Sequence, residues 1–117
     1  MRGAGRPSDR VRERAREELE RLLSALRDRF RIHRALAFGS FARGDMHELS
    51  DLDLLLIGDF ADPPRLRTRA VRELAEGLGI ETPLEVLAYT PEEFERARTR
   101  PFLAHVLTEA IELSAAA

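Results

Sequence analysis

The sequence contains no cysteine and no lysine, so all 19 of its cationic side chains are arginines. Without cysteine, disulfide bonds, zinc–thiolate sites and thiol nucleophiles are excluded. Without lysine, a P-loop phosphate site and Schiff-base catalysis are excluded as well. Asn, Gln and Trp are also absent. A shortage of thermolabile residues suits a thermophile, but GC-rich codons favour arginine equally well, so both explanations stay open.

No hydrophobic run approaches the roughly 20 residues that a membrane-spanning helix needs. The basic N-terminal stretch also lacks the apolar segment of a secretory signal. We therefore expect a cytoplasmic protein without a membrane partner. The formal net charge of −2 gives no strong evidence for a nucleic-acid partner. With 117 residues, of which 44% are hydrophobic, the chain can bury a core of its own.

Apolar periodicity predicts a long first helix with Ser8 as its N-cap. The residues expected to face the core recur at steps of three and four: Val11, Ala15, Leu19, Leu22, Leu23, Leu26 and Phe30. The opposite face is expected to be solvated and carries Glu13, Arg14, Glu17, Glu18 and Arg21. Residues 1–7, rich in Gly, Arg and Pro, are predicted to be a flexible N-terminus. Residues 8–114 are predicted to form a single domain.

Apolar runs predict strands at residues 35–38, 52–57 and 84–89. The second of these is almost entirely apolar, which is typical of a buried central strand. Residues 111–113 fit either the tail of a helix or an edge strand. Because helical patterns alternate with these strands, we expect an α/β (α+β) fold: a small mixed β-sheet flanked by helices.

Three further helices are predicted between and after these strands. The first has an apolar stripe at Leu66, Ala70, Leu74 and Leu78. Its arginines are expected to lie on a solvated face: Arg65, Arg67, Arg69 and Arg72. The next helix begins with a capping box from Thr90 to Glu93, and the last begins at Pro101.

The segment from Gly39 to Gly44 follows the first predicted strand and opens a short helix. Glycine lets the backbone approach a ligand closely, and the free N–H groups at a helix start bind anions. Ser40 adds a hydroxyl group and Arg43 a positive charge. These residues can cradle phosphate oxygens, although a strand–Gly–Ser–helix junction is also a common plain turn. A serine-hydrolase elbow is excluded because Ser40 is not followed by x–Gly.

The segment Ser50-Asp51-Leu52-Asp53-Leu54 places two carboxylates at positions i and i+2 of a strand. Such side chains point to the same side, about 6–7 Å apart along the backbone. Two close carboxylates beside an apolar run repel each other, and a hard cation such as Mg²⁺ relieves that repulsion. The alternative is that Asp51 caps the entry of the strand while Asp53 faces solvent.

Glu85 lies one residue into the apolar third strand. A charge within such a strand has to be paired, metal-bound or placed at an exposed edge. Glu85 is therefore a third candidate for a metal-binding carboxylate. An edge strand with Glu85 in water explains the sequence equally well.

These residues together resemble a known family signature. Gly39-Ser40, ten intervening residues and then Asp51-Leu-Asp53 in a hydrophobic strand resemble the DNA polymerase beta-like nucleotidyltransferase superfamily. The fuller stretch resembles its smallest branch, the minimal nucleotidyltransferases, which are commonly encoded with a HEPN-domain toxin as a toxin–antitoxin pair. The resemblance extends from about Ala35 to Phe94 and implies the nucleotidyltransferase fold.

The resemblance also implies roles for individual residues. Gly39 and Ser40 would hold the β- and γ-phosphates of ATP, with Arg43 nearby. Asp51 and Asp53 would ligate two Mg²⁺ ions. Glu85 falls at the third carboxylate of the family, which is usually aspartate, so this position is a departure. With glutamate in place of aspartate at this position, the protein could bind the nucleotide through Asp51 and Asp53 and yet lose turnover.

The implied activity is transfer of a nucleoside monophosphate, AMP from ATP, to a hydroxyl group of a partner protein. By the same resemblance, that partner is a HEPN-domain toxin, and the chain is its antitoxin. The alternative is a non-catalytic nucleotide-binding antitoxin that acts by masking its partner. The departure at Glu85 motivates this alternative.

Overall fold

The structure is a computed structural model that describes the backbone of residues 7–113 and the side chains of residues 9–113. The described residues form five helices: α1 (Pro7–Arg29), α2 (Gly39–Arg43), α3 (Pro64–Gly77), α4 (Pro91–Ala97) and α5 (Pro101–Glu109). They also form four strands: β1 (Ile32–Phe38), β2 (Leu52–Gly58), β3 (Leu84–Tyr89) and β4 (Ile111–Glu112).

The predicted elements are present, with differences at their ends. The strand predicted at residues 35–38 begins three residues earlier, at Ile32, and the strand predicted at residues 84–89 has those bounds. Residues 111 and 112 form an edge strand rather than a helix tail. Ser8 lies inside α1 and is not its N-cap, because the helix already includes Pro7. The flexible segment predicted for residues 1–7 otherwise lies outside the described residues.

The four strands form one mixed sheet in the order β3-β2-β1-β4. β1 pairs antiparallel with both β2 and β4. β2 pairs parallel with β3, and α3 provides the crossover that a parallel connection needs. The mixed sheet flanked by helices agrees with the predicted fold class. β2 is a central strand, which explains why it is almost entirely apolar.

Each face of the sheet is covered by a different pair of helices. One face packs against α1 and α3, with Leu54 and Leu56 of β2 in that core. The other face packs against α4 and α5, with Leu55 and Ile57 of β2 in that core. Because side chains alternate along a strand, Asp53 shares the face of Leu55 and Ile57, the face covered by α4 and α5.

Two charged residues expected on solvated faces are buried instead. Glu18 is 6% exposed and accepts hydrogen bonds from the Glu81 N–H (2.9 Å) and the Thr82 hydroxyl. Arg67 is 5% exposed and forms two hydrogen bonds with the Glu93 carboxylate, of 2.6 and 3.1 Å. The buried stripe of α3 is therefore Arg67, Val71 and Ala75, one residue along from the predicted stripe.

Among residues 7–113, none of the helices combines the length and the apolar character that crossing a membrane requires.

Candidate functional site

Gly39 lies where β1 ends and α2 begins, with a φ of +69°. A Cβ atom at this position would lie 2.0 Å from Asp53 Oδ2. Both the left-handed backbone and this close approach require glycine. Gly44 caps the C-terminal end of α2, with a φ of +85°, and donates its N–H to the Ser40 carbonyl. The predicted glycine turn is therefore formed, and its backbone lies against a predicted acidic residue.

The three predicted carboxylates come from two neighbouring strands. Asp53 is opposite Phe38 of β1 and in register with Glu85 of the parallel strand β3. Asp51 lies just before β2, two residues from Asp53, and is exposed. Residues in register on adjacent strands point to the same face, so Asp53 and Glu85 share the α4/α5 side. Glu85 itself is exposed, on the edge strand of the described sheet.

The charge of Asp53 is poorly compensated. Burial raises the pKa of Asp53 to about 6, and repulsion from Asp51 and Glu85 contributes in the same direction. Arg43 opposes this rise in pKa. The Asp53 side chain is half-buried, so the alternative in which it simply faces solvent holds only in part. An uncompensated carboxylate with two acidic neighbours is a place where a cation is stabilised.

An open cleft of about 370 Å³ lies beside these residues. It is lined by Ser40, Arg43, Asp45, His47, Ser50, Asp51 and Asp53. The loop before β2 is held by the His47 N–H, which donates to Ser50 Oγ at 3.0 Å, and by the Ser50 N–H, which donates to the His47 carbonyl at 2.9 Å. The cleft thus joins the serine of the glycine turn to both aspartates.

Glu109, the last residue of α5, enters the site from the opposite end of the chain. Its Oε2 atom accepts a hydrogen bond from the Gly39 N–H at 2.9 Å. Its Oε1 atom lies 3.2 Å from Arg43 Nη1, while Arg43 Nε lies 3.4 Å from Asp45 Oδ2. The Gly39 N–H and then Arg43 hold the pKa of Glu109 below its ordinary value.

Sequence reasoning missed Glu109, although one signal was available. An acidic side chain at the C-terminal end of a helix is unfavourable towards the helix dipole. Glu109 occupies that position in α5 and is compensated by contacts with α2. Sequence reasoning also missed Asp45, and His47 of the same loop is exposed and lines the cleft as well.

The structure brings most of the predicted site residues together. Ser40, Arg43, Asp51 and Asp53 line one cleft, and Gly39 contacts Asp53, whereas Glu85 is in register with Asp53 but outside the lining. Within residues 7–113, no group of three His, Cys, Asp or Glu side chains is close enough to form a preassembled metal site. The metal-binding roles of the three carboxylates therefore stay a prediction.

A larger hollow, of about 680 Å³, lies between α3 and the start of β3. It contains Arg65, Arg69 and Arg72 together with Glu73 and Glu76, and none of the predicted site residues. The smaller cleft is the better candidate for chemistry, because it combines a glycine turn with closely spaced carboxylates.

Known proteins resemble this chain both in sequence and in fold. A family model described as a nucleotidyltransferase domain matches residues 19–112. A protein of Methanocaldococcus jannaschii, named as a protein adenylyltransferase, is 42% identical over 43 residues. That match covers 35% of this chain and 43% of the relative, so the chain spans less than half of the relative's length.

Solved structures show the same fold. A structure described as a nucleotidyltransferase from Sulfolobus solfataricus has a TM-score of 0.67 at 18% identity, covering 94% of this chain and 88% of its own. A structure described as a minimal nucleotidyltransferase has a TM-score of 0.60 at 28% identity, covering 95% and 100%. A toxin–antitoxin structure with AMP-PNP has a TM-score of 0.57 at 19% identity, covering 86% and 73%.

The family match extends over most of the chain and includes the glycine turn, the two aspartates, Glu85 and Glu109. The fold agrees with that of the structure described as a minimal nucleotidyltransferase. The chain belongs to the nucleotidyltransferase domain family.

Proposed function

We propose that this chain transfers AMP from ATP to a hydroxyl group of a partner protein, and that the partner is the HEPN-domain toxin of a toxin–antitoxin pair. The observation that carries the proposal is the contact between the Gly39 turn and Asp53. In this contact a glycine turn with a left-handed backbone lies directly against a half-buried carboxylate whose charge is poorly compensated. A turn that binds phosphate beside a carboxylate that binds a metal ion is the combination that nucleotidyl transfer from a nucleoside triphosphate requires.

The charge of the cleft supports a metal-dependent reaction. Asp45, Asp51 and Asp53 line the cleft, and Arg43 is its one cationic side chain among the described lining residues. A triphosphate would be repelled by this excess of carboxylates unless divalent cations accompanied it. Oxygen donors of this kind suit Mg²⁺, and Asp51, Asp53 and Glu85 would hold it. When bound, Mg²⁺ would neutralise phosphate charge and lower the pKa of the acceptor hydroxyl.

The residues of the chain then have separate tasks. The Gly39 N–H and the Ser40 hydroxyl would hold the β- and γ-phosphates, with Arg43 nearby. Glu85 would accept the proton of the acceptor hydroxyl. The acceptor oxygen forms a bond to the α-phosphorus as the bond from that phosphorus to the bridging oxygen breaks, and pyrophosphate leaves. The product is the AMP ester of the acceptor, with the proton passed to the carboxylate.

The identity of the acceptor rests on the relatives. One relative is named as a protein adenylyltransferase, and one structure of the same fold is a toxin–antitoxin with AMP-PNP. The HEPN class of the toxin follows from the sequence resemblance alone. The cleft is also open, so a separate protein can reach it with a side-chain hydroxyl.

The test is transfer of label from α-labelled ATP, with Mg²⁺, to the protein encoded beside this chain. We expect the label on a hydroxyl side chain of that protein. Asp53→Asn should reduce the transfer rate by about 100-fold or more, because it removes a metal ligand. Asp59→Asn is the matched control, because Asp59 lies just beyond the other end of β2 and pairs with His33. Equal transfer by wild type and Asp53→Asn would contradict the proposal.

A second candidate function is neutralisation by masking, without catalysis. The exposure of Glu85 and its absence from the cleft lining favour it. In that case a chain carrying Asp51→Asn and Asp53→Asn would still protect cells that express the toxin. Loss of protection by this double variant, with wild-type binding to the toxin, would exclude masking.

A further inference from the structure

One carboxylate already occupies the groups that the proposed function assigns to phosphate. Glu109 accepts the Gly39 N–H through Oε2 at 2.9 Å. The same side chain lies 3.2 Å from Arg43 Nη1 through Oε1. A carboxylate and a phosphate both present paired oxygen acceptors with negative charge, so the two compete for one N–H and one guanidinium.

We infer that Glu109 is an internal competitor for the phosphate-binding turn, so that nucleotide binding displaces its side chain and Glu109 sets the nucleotide affinity of the site. This inference rests on the proposed function, because it takes the Gly39 turn as the phosphate site. It adds a residue that the family signature in the sequence does not contain.

The displacement needs only a side-chain movement. The backbone of Glu109 is fixed on both sides, by α5 before it and by β4, which pairs with β1, after it. The side chain is 21% exposed, so it borders solvent and has room to change rotamer. Arg43 would keep its contact with Asp45 after Glu109 leaves. The Gly39 N–H and the Nη1 donors of Arg43 would become free together.

A purely structural role for Glu109 predicts the opposite result. If Glu109 only held the turn and Arg43 in place, its removal would weaken nucleotide binding. If Glu109 competes with phosphate, a weaker contact of Glu109 with Gly39 and Arg43 makes nucleotide binding tighter. The sign of the change therefore separates the two roles.

The experiment measures the Kd of AMP-PNP with Mg²⁺ by calorimetry. Glu109→Gln keeps the shape of the side chain but makes its hydrogen bonds to Gly39 and Arg43 those of a neutral group. Hydrogen bonds of a charged group are roughly twice as strong as neutral ones, so we expect about five- to tenfold tighter binding.

Glu112→Gln is the matched control. Glu112 lies three residues further along and makes two hydrogen bonds with Arg34, of 2.9 and 2.8 Å, outside the cleft. Its change in net charge equals that of Glu109→Gln, and we expect a Kd within about twofold of wild type. Glu109→Asp retains the charge but is one methylene shorter, so it should also bind more tightly if competition is the cause.

Unchanged or weaker binding by both Glu109 variants, with binding by wild type, would overturn this inference and leave the proposed function standing. Absence of binding by wild type and by every variant would overturn both. Binding that appears only in the Glu109 variants would support the inference. Melting temperatures of the variants confirm that each one is folded, and the Gly39 amide resonance reports directly whether its hydrogen bond is lost.

Discussion

Asp53 Oδ2 lies against the backbone of Gly39, at a position that leaves no space for a Cβ atom. The turn that would hold phosphate and the carboxylate that would hold a cation are therefore in direct contact. A larger side chain at Gly39 would therefore displace the Asp53 carboxylate. This contact makes the two halves of the signature one physical unit, and it yields the first prediction.

We expect Gly39→Ala to abolish nucleotide binding and to destabilise the fold. The φ of +69° costs an L-residue roughly 1–2 kcal/mol, and the new methyl group would force the Asp53 carboxylate to move. Urea denaturation and calorimetry measure the two effects. Gly77→Ala is the matched control, because Gly77 lies at the end of α3 with open space around it, and this change should stabilise by about 0.5–1 kcal/mol. Equal behaviour of the two variants would refute the steric argument.

We expect Glu85→Gln to lower the rate of AMP transfer by about 100-fold or more while the Kd of AMP-PNP changes by less than about threefold. The reason is that Glu85 would accept the proton but lies outside the lining of the cleft that would hold the phosphates. Single-turnover kinetics and calorimetry separate rate from affinity. Glu76→Gln, on the exposed side of α3, serves as the control. Wild-type turnover by Glu85→Gln would remove Glu85 from the mechanism.

We expect Arg67→Leu to reduce the free energy of unfolding by about 3–5 kcal/mol. The change leaves the Glu93 carboxylate without its cationic partner and removes the donors to the Asp62 and Ala88 carbonyls, at 2.5 and 3.1 Å. Urea denaturation measures the loss. Arg98→Ala breaks a surface pair with Glu95 instead and should cost less than about 1 kcal/mol. A cost of that size for Arg67→Leu would mean that the buried pair contributes little.

We expect protonation of Glu93 in acid to lower the free energy of unfolding. Hydrogen bonds from Arg67, and then from the Thr90 N–H, lower the pKa of Glu93 from 4.5 to about 2. A lowered pKa contributes stability that is present above pH 4.5 and is lost as the pH falls towards 2. Since the side chain is 31% exposed, we expect a loss on the order of 1–2 kcal/mol.

The measurement compares unfolding of wild type with that of Glu93→Gln at pH values from 7 to 2. Other carboxylates titrate in both proteins, so the difference between the two curves isolates Glu93. We expect this difference to shrink as the pH falls below 4.5. A difference that is independent of pH would show that ionisation of Glu93 does not stabilise the fold.

Much of the fold and part of the candidate site could be predicted from local features of the sequence. The strands at residues 52–57 and 84–89 were predictable because their apolar runs have strand length and clear boundaries. Gly39 and the two aspartates were found because their spacing is local and each residue type has a distinct physical use. The mixed sheet followed from the order of elements, although the strand order depended on tertiary packing.

Three charged residues that sequence reasoning misplaced or missed depend on distant partners. Glu18 is buried because the Glu81 N–H and the Thr82 hydroxyl, in the loop between α3 and β3, donate hydrogen bonds to it. Arg67 is buried because Glu93 compensates its charge. Glu109 joins the site because the end of α5 lies beside α2. A charged residue reads as solvated in a sequence, and only a long-range contact reverses that expectation.

The topology of the sheet also suggests an order in which the parts of the candidate site come together during folding. β1 and β2 are antiparallel and joined by residues 39–51, whereas β2 and β3 are parallel and joined by the longer segment 59–83 with its helix. Closing the longer crossover connection costs more chain entropy, so we expect pairing of β3 to follow that of β1 with β2 during folding. We therefore expect the glycine turn and the two aspartates to come together before β3 brings Glu85 to the sheet.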